Sequence, residues 1–442
     1  MTDDTIAAIA TAAGTGGVGI VRLSGPRAIE IACAMLGRPA LGDRRVHVGW
    51  ARDAAGARVD QVLAFAMRGP ASFTGEDVAE LHGHGGAENL RRLLGAVVAL
   101  GARVAEPGEF TRRAVLHGKL DLARAEALLD VIHAGSERAV RLAQQNLGGR
   151  LGEAARSLEA RVIGVLAEIE GRIDFPEDGI EPEVDAAIDA ELADVESRCA
   201  ALAGGFRHGR AVQHGITVAL VGPVNAGKSS LLNALVGKER ALVAASPGTT
   251  RDYLEVADVW DGIAVTLVDT AGTRTGADPV ADSIEARGIE LGEQRVASAD
   301  VVVVLNDGDS PWNDGVAYGE RAVVVRSKSD RAREQAPHAA LSTSAHTRAG
   351  LDELMKRVLA TAGVAAREGS EDALVTTARQ HAHAVAARAA LAAVIAARRE
   401  RRVPEIVALE LRQAMSALAQ LRGEDVGDRV LDEVFARFCI GK

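Results

Sequence analysis

Residues 216–236 read ITVALVGPVNAGKSSLLNALV, an apolar strand-like run, then a glycine loop, then a helix-like segment. The loop at 222–229 fits the pattern G-x-x-x-x-G-K-[ST], and the flanking strand and helix are the context that the pattern requires. Such a loop wraps backbone N–H groups around a β-phosphate, brings Lys228 to the β- and γ-phosphates and offers the Ser229 hydroxyl to Mg²⁺. The chain is therefore predicted to bind a nucleoside triphosphate.

Two downstream motifs fit the switches of a nucleotide hydrolase. GTTRD at 248–252 suits a first switch, in which the Thr250 hydroxyl reaches Mg²⁺ when the γ-phosphate is present. DTAG at 269–272 follows a strand-like pattern, so Asp269 is expected to hold the water shell of the metal and the Gly272 N–H to meet the γ-phosphate.

A third motif, SKSD at 327–330, predicts the base. The Asp330 carboxylate can accept two hydrogen bonds from the Watson–Crick edge of guanine, which adenine cannot supply, so GTP is favoured over ATP. Ser327 stands where such motifs usually have asparagine, and we expect weaker nucleotide affinity from it. Ser344 and Ala345, just before a helix start at 350–352, fit the last box, whose backbone N–H meets the guanine O6.

Composition indicates a globular protein of several domains. The chain has 442 residues, 48% of them hydrophobic, which is enough for two to four domains of roughly 100–200 residues. The apolar runs are far shorter than the ~20 residues that cross a bilayer, and the N-terminal MTDDTIAAIA is acidic, so we expect a cytoplasmic protein without membrane contact. Cys33, Cys199 and Cys439 have no pairing or metal spacing, which predicts free thiols.

Lysine is rare in this chain. Only six of the 51 basic residues are lysines, and a lysine among arginines points to a site that needs a compact ammonium group. Lys228 and Lys328 lie in nucleotide motifs, which directs attention to Lys119 and to the last residue, Lys442.

The patterning predicts α/β and α architecture in four segments. Residues 1–118 mix strands, helices and glycines as an α+β domain; residues 119–212 have helical periodicity; residues 213–367 alternate strands and helices as a P-loop domain with a mostly parallel sheet; residues 368–442 are helical again. The simplest reading is a split helical domain with the nucleotide domain inserted into it.

Three weaker signals have ordinary explanations. GTGGVG at 14–19 fits a dinucleotide fingerprint literally, but the following IVRLSG alternates like a strand, whereas that fingerprint opens a helix. His82 and His84 are expected to be loop histidines, because no further ligands cluster nearby in sequence. Cys439 is expected to be a small buried residue, because free cysteines are among the most often buried side chains.

The ending FCIGK at 438–442, together with a central GTPase unit carrying GTTRD, resembles the bacterial tRNA-modification GTPase family MnmE, also called TrmE. The resemblance covers nearly the whole chain. It includes GGVGIVRLSG at 16–25, SFTGEDVAELHGHGG at 72–86, PGEFTRRAVLHGKLDLARAEA at 107–127 and DFPED at 174–178.

The resemblance implies a homodimer whose N-terminal domains pair and hold 5-formyl-tetrahydrofolate or a related folate. Matched motif to motif, the folate contacts would be Arg22, Glu80 and Lys119. Lys442, with Cys439 nearby, would bring the C-terminal tail to the same site. A carboxylate paired with the amino-pyrimidine edge of a pterin is chemically sensible.

The resemblance also implies GTP hydrolysis activated by K⁺ when two GTPase domains meet. The K⁺ ligands would be the Asn225 side chain and the loop at 244–249, including Ala244, Ser246 and Thr249; Mg²⁺ would be held by Ser229 and Thr250. Glu285 in IEARGIE would orient the attacking water, with Asn225 and Lys228 as the other catalytic residues, while Arg251 and Arg274 are further candidates. The expected GTP contacts are Asn225, Ala226, Gly227, Lys228, Ser229, Ser230, Ala244, Ala245, Ser246, Pro247, Gly248, Thr249, Thr250, Asp269, Thr270, Ala271, Gly272, Ser327, Lys328, Asp330, Ser344 and Ala345.

The family works with an FAD-dependent partner, MnmG or GidA, in a heterotetramer or larger assembly. Together they modify the 5-position of the wobble uridine of certain tRNAs. The net charge of −10 suggests that the partner carries much of the tRNA binding. The alternative is a ribosome-assembly GTPase switch of the Era or EngA type, which would carry an RNA-binding appendage, typically basic.

Overall fold

A computed structural model of the chain describes residues 4–174, 182–236, 255–269, 294–307, 311, 313–331, 341–364, 375–424 and 427–441. The chain forms two compact units: Met1–Leu129 with Arg422–Lys442, and Asp130–Leu421. The division into four functional segments stays a prediction.

The first unit is built on a six-stranded sheet. Its spatial order is β3-β4-β5-β2-β1-β6, antiparallel except where β1 and β6 run parallel. The strands are β1 Ile6–Ile9, β2 Gly16–Ser24, β3 His47–Arg52, β4 Arg58–Met67, β5 Val78–Gly85 and β6 Arg103–Val104. Because Gly16–Ser24 forms strand β2, the last glycines of the GTGGVG segment open a strand and not a helix, so the segment is not a dinucleotide fingerprint.

Helices cover this sheet because period-2 alternation gives it an apolar face. The helices are α1 Ala28–Leu36, α2 Ala87–Ala99, α3 Glu109–Leu116 and α4 Leu122–His133. One face packs on α1 and α2 through fully buried residues such as Val21, Leu81 and Leu93. On the other face Phe110 of α3 packs against Ile6 and Ala8. The register of β1, β2 and β5 places Arg22 and Glu80 on this same face.

The second unit contains a six-stranded, mostly parallel sheet, as predicted. Its order is β12-β11-β10-β7-β9-β8, and only the β8–β9 pair is antiparallel. The strands are β7 Ile216–Val221, β8 Glu255–Trp260, β9 Ile263–Asp269, β10 Val301–Asn306, β11 Ala322–Arg326 and β12 Leu341–Ser342. Central strand β10 is buried along its whole length, so its sequence is a continuous apolar run ending in Asn306.

The helices of the second unit follow the predicted periodicity. They are α5 Glu137–Leu147, α6 Arg150–Asp174, α7 Pro182–Gly204, α8 Phe206–His214, α9 Lys228–Leu235, α10 Leu351–Thr361, α11 Ala378–Arg399 and α12 Pro404–Arg422, with short 3₁₀ turns at Val316–Arg321 and Ser329–Arg331. Helices α6, α7, α11 and α12 share one apolar core, in which Leu192, Leu391 and Leu411 are fully buried. Helices from both sides of the nucleotide region thus form one body, the split helical architecture predicted from sequence. Among the described residues no helix is long and apolar enough to span a membrane.

A buried polar junction lies where the nucleotide region joins the helices. Gln213 Nε2 donates to the Asp130 carbonyl at 3.0 Å, and Thr376 Oγ1 donates to Asp130 Oδ2 at 3.2 Å. All three side chains are at most 5% exposed. Burying a polar group costs free energy unless the group is hydrogen-bonded. These bonds therefore hold Gln213 and Thr376 against Asp130 of α4.

The C-terminal tail packs within the first unit. Helix α13, Asp428–Phe435, places Phe435 and Phe438 against Leu122. Ile440 then forms an antiparallel bridge with Pro107, and Gly441 takes a φ of +98° where a Cβ would lie 3.0 Å from the Ala10 Cα. The tail therefore reaches the end of β1, the strand that pairs with the Arg22 strand β2.

Candidate functional site

The backbone of the phosphate loop adopts positive φ values at its glycines. Strand β7 ends at Val221 and helix α9 begins at Lys228. Gly222 has a φ of +155°, and a Cβ there would lie 2.7 Å from the Leu305 carbonyl oxygen, so a larger residue does not fit. Asn225 has a φ of +65° and is exposed at the tip of the loop.

Lys228 lies inside this loop. Its ammonium donates to the carbonyls of Gly222 at 2.8 Å and Pro223 at 2.9 Å, and the residue is only 7% exposed. Burial lowers the pKa of Lys228, while the Asp269 carboxylate opposes that change. The ammonium group therefore lies inside the loop, where the β- and γ-phosphates of a bound nucleotide are predicted to lie.

Ser229 and Asp269 meet at the carboxyl end of β9. Ser229 Oγ donates to Asp269 Oδ2 at 2.7 Å. Asp269 Oδ1 is buried and has no hydrogen-bond partner among the described residues. A hydroxyl and a carboxylate beside a phosphate loop are the hard oxygen donors that Mg²⁺ prefers, so the residues present fit this ion.

The surroundings of Asp330 favour its ionised carboxylate, which can accept hydrogen bonds from a base. Ser344 Oγ donates to Asp330 Oδ1 at 2.6 Å, and the Thr347 N–H donates to Ser344 Oγ at 3.1 Å. The hydrogen bond from Ser344 lowers the pKa of Asp330. The Ser344 N–H donates to the Ala349 carbonyl at 3.0 Å, so in the predicted Ser344–Ala345 pair the serine acts on Asp330 through its side chain.

Ser327 joins the base-recognition segment to the phosphate loop. Its hydroxyl donates to the Ala226 carbonyl at 2.6 Å and is also 3.2 Å from the Asn306 carbonyl, while the residue is 6% exposed. Carbonyl and N–H point in opposite directions across a planar peptide. The hydrogen bond from Ser327 to the Ala226 carbonyl therefore orients the N–H of Gly227 away from Ser327. Lys328, with a φ of +53°, carries its stem over Gly227 from the same segment.

Ser327→Ala is expected to weaken GTP and GDP binding about 5- to 30-fold, because it removes a buried donor and leaves a buried carbonyl unpaired, at a cost of roughly 1–2 kcal/mol. Equilibrium titration with a fluorescent guanine nucleotide measures this. Ser298→Ala, at an exposed hydroxyl that donates to the Arg295 carbonyl, is the matched control. Unchanged affinity in Ser327→Ala would show that the contact between the two segments carries no binding energy.

A second polar site lies on the sheet of the first unit. Strand register pairs Arg22 with Glu80, and Arg22 Nε donates to Glu80 Oε1 at 2.8 Å. The other oxygen, Oε2, is 2.8 Å from His82 Nε2. Glu80 is 7% exposed, and the Arg22 guanidinium lies 5.9 Å from the centroid of the Phe110 ring. A buried carboxylate, a guanidinium and an aromatic ring are thus adjacent.

Lys119 lies at the loop that precedes β5. Its ammonium donates to the Pro70 carbonyl at 2.9 Å, and its Cγ would be 3.5 Å from a Cβ on Gly75. Within the described residues no hydrogen bond or ion pair joins Lys119 to the Arg22–Glu80 pair. The structure therefore groups Arg22 with Glu80 and places Lys119 separately.

The two histidines are not in a loop, which corrects the prediction. Both lie on strand β5, where alternation puts His82 on the same face as Glu80. His84 Nδ1 is 2.7 Å from Asp60 Oδ1. Burial raises the pKa of Asp60, but its hydrogen bonds, that from His84 first, outweigh this effect, so the pKa is lowered overall. The alternating letters E-L-H-G-H were the signal for a strand, and His82 is a site residue that the sequence analysis missed. No group of three potential metal ligands occurs in the parts of the chain that the structure describes.

The thiols are free, as predicted. Cys199 is buried, and burial raises its pKa to about 11. Cys439 is exposed, so the expectation of a buried residue is wrong, because this part of the tail runs along the surface beside Gly108.

Many predicted contacts fall outside the described residues. These are Ala244, Ala245, Ser246, Pro247, Gly248, Thr249, Thr250, Arg251, Thr270, Ala271, Gly272, Arg274, Glu285 and Lys442.

Comparisons with known proteins cover the whole chain. The family model "MnmE helical domain" matches residues 122–439, and "GTP-binding protein TrmE N-terminus" matches residues 5–119. The tRNA modification GTPase MnmE of Synechococcus sp. (strain RCC307) is 43% identical over 454 residues, which span 100% of this chain and 99% of that protein. The proteins of the same name from Symbiobacterium thermophilum and Geobacter sulfurreducens are 41% and 39% identical, over 100% of this chain and 100% and 99% of theirs.

Proposed function

The chain belongs to the MnmE family of tRNA modification GTPases, and from this premise we propose that it couples GTP hydrolysis to a folate-dependent modification of the wobble uridine of certain tRNAs. The observation that carries the proposal is that one chain has two prepared sites. Lys228, Asp269 and Asp330 suit GTP with Mg²⁺, and the Arg22–Glu80 pair suits a pterin.

At the nucleotide site this chain's residues bind and orient. Lys228 and the loop N–H groups would offset the charge of the phosphates, and Asp330 would bind the base. Ser229 and Thr250 would hold Mg²⁺, and Asp269 would hold its water shell. When bound, Mg²⁺ supplies positive charge that offsets the negative charge of the phosphate oxygens. We assign the positioning of the attacking water to Glu285, and the first-switch contacts to the 244–250 segment.

Potassium is proposed to activate hydrolysis when two GTPase domains meet. Phosphoryl transfer needs extra positive charge on the developing oxyanions, a role worth ~10³–10⁵ in rate when an arginine supplies it. The exposed Asn225 amide at the loop tip can offer an oxygen to K⁺, and Ala244, Ser246 and Thr249 are proposed to complete the ligand set.

Turnover is therefore expected to be at least about tenfold faster in KCl than in NaCl at equal ionic strength, and Asn225→Ala should abolish the difference. Steady-state phosphate release measures both. Asn233→Ala, on helix α9 behind the loop, controls for loss of an amide. The same rate in both salts would remove the Asn225 assignment.

At the second site a reduced folate is the proposed one-carbon donor. The Glu80 carboxylate can accept hydrogen bonds from an amino-pyrimidine edge, because two oxygens offer about four lone-pair positions and two are used. Lys119 and Lys442 are proposed to face the glutamate tail of the folate. The partners are a second copy of the chain, paired through the N-terminal domains, an FAD-dependent MnmG in a heterotetramer or larger assembly, and tRNA, in the cytoplasm.

Removing residues 439–442 is expected to spare GTP hydrolysis and to abolish tRNA modification. The reason is that Ile440 and Gly441 pack against Pro107 and the end of β1, beside the Arg22 strand, whereas the phosphate loop belongs to the other unit. Phosphate release by the truncated protein and nucleoside analysis of tRNA from a strain that carries it measure the two effects. Full modification by the truncated chain would discredit the role of the tail.

Wobble-uridine analysis of tRNA from a deletion strain tests the proposed function as a whole. Loss of the 5-substituent, restored by the wild-type gene, is expected. Unchanged modification, accompanied by an accumulation of immature ribosomal subunits, would favour the ribosome-assembly alternative.

A further inference from the structure

The β8–β9 hairpin connects the ion site with the helical region. Strand β9 ends at Asp269, which accepts the Ser229 hydroxyl, and begins at Ile263, next to a tight turn. Its seven residues span about 20 Å, at roughly 3.3 Å each. In an open parallel sheet ligands bind at the carboxyl ends of strands, so the turn lies at the end of the sheet opposite the nucleotide.

The turn packs against helix α5. Asp261 and Gly262 have φ values of +50° and +77°, as in a two-residue type I′ hairpin turn. A Cβ on Gly262 would lie 3.5 Å and 3.6 Å from Cβ and Cδ of Arg138, so the stem of this α5 arginine covers the turn. Arg138 Nη2 is also 3.3 Å from His208 Nε2 on helix α8.

Strand β9 itself touches the residues just before α5. A Cβ on Gly135 would lie 3.2 Å from the Ala264 Cβ, and Leu142 of α5 belongs to the same apolar core as Trp260, Ile263 and Val265. These contacts are non-covalent and separate from residues 213–216, where the chain passes from α8 into β7. The hairpin therefore links the nucleotide sheet to helix α5.

We propose that the β8–β9 hairpin transmits the state of the ion site at Asp269 to helix α5. A strand paired on both sides is stiff, since β9 pairs with β7 and β8 along most of its length. A change in how Asp269 is held is passed along the strand to Ala264 and the turn, and from there to Gly135 and Arg138. The proposal rests on nucleotide and Mg²⁺ binding at the loop and is independent of the folate chemistry.

Hydrogen exchange of the full-length protein tests this. We expect amides of α5 to exchange about 5- to 150-fold differently between Mg²⁺ with GDP and Mg²⁺ with a non-hydrolysable GTP analogue, the range of ordinary coupling between sites. Gly135→Ala acts as a wedge, because its Cβ presses on Ala264, and should remove this difference. Gly164→Ala, in α6 with no atom within 4 Å of the added Cβ, is the matched control.

A second variant covers the case in which the wedge disturbs folding. Arg138→Ala should also remove the nucleotide dependence of α5 exchange, whereas Arg141→Ala, one turn further on α5 in an exposed pair with Glu137, should keep it. Nucleotide affinities measured in parallel separate lost coupling from lost binding. Identical α5 exchange in the two nucleotide states of the wild type, or a full difference retained in Arg138→Ala, would overturn the proposal.

Discussion

Asp330→Asn is expected to convert the nucleotide site from GTP to xanthosine triphosphate. The carboxylate of Asp330 is proposed to accept hydrogen bonds from the ring N–H and the 2-amino group of guanine, whereas xanthine has a carbonyl in place of that amino group. An asparagine amide can donate to this carbonyl, and its oxygen can keep the 2.6 Å hydrogen bond from Ser344. Sites built around such hydrogen bonds discriminate by about 10⁴–10⁵, so the ratio of the two affinities should change by about that factor.

Competition titrations of GTP and xanthosine triphosphate measure that ratio. Asp352→Asn, at an exposed carboxylate in the first turn of α10, removes the same charge away from the base. It should leave the ratio unchanged. An unaltered preference for GTP in Asp330→Asn would mean that another residue recognises the base.

The second large effect is expected at the sheet of the first unit, where Glu80→Gln should weaken 5-formyl-tetrahydrofolate binding about 10²–10³-fold. The substitution keeps the shape of the side chain but turns one acceptor into a donor, which faces Arg22 or His82. Breaking one partner of a buried, hydrogen-bonded charge pair typically costs 2–5 kcal/mol.

Calorimetric titration of folate onto the purified protein measures this effect, with GTP affinity as the internal reference. Glu88→Gln is the control, because Glu88 forms an exposed pair with Arg91 on helix α2. Equal folate affinities of wild type and Glu80→Gln would place the pterin elsewhere.

The nucleotide site was predictable because its chemistry is local in sequence. The strand Ile216–Val221, the glycine loop and the helix from Lys228 are consecutive, so pattern and spacing determine the geometry. Asp269 was placed at a strand end for the same reason, and the structure has it there. The hydrogen bond from the Ser327 hydroxyl to the Ala226 carbonyl joins residues 101 positions apart, and no sequence pattern predicts it.

The first unit was harder to predict because its site depends on pairing between strands. The pairing of Arg22 with Glu80 follows from the register of β2 and β5, which turns and core packing set. Short strands such as β1 and β3 were missed, since four to six residues carry little periodicity. The packing of the tail on residues 107–108 joins distant parts of the chain, and only the resemblance pointed to it.

The most direct test is mass spectrometry of wobble uridines in tRNA from a deletion strain that carries the wild-type gene, Glu80→Gln or Asp330→Asn. A chain that uses both sites for one reaction predicts full modification with the wild type and loss of the 5-substituent with either variant, although each variant leaves the other site intact. Full modification with either variant would contradict the account, because one of the two sites would then be dispensable for the reaction.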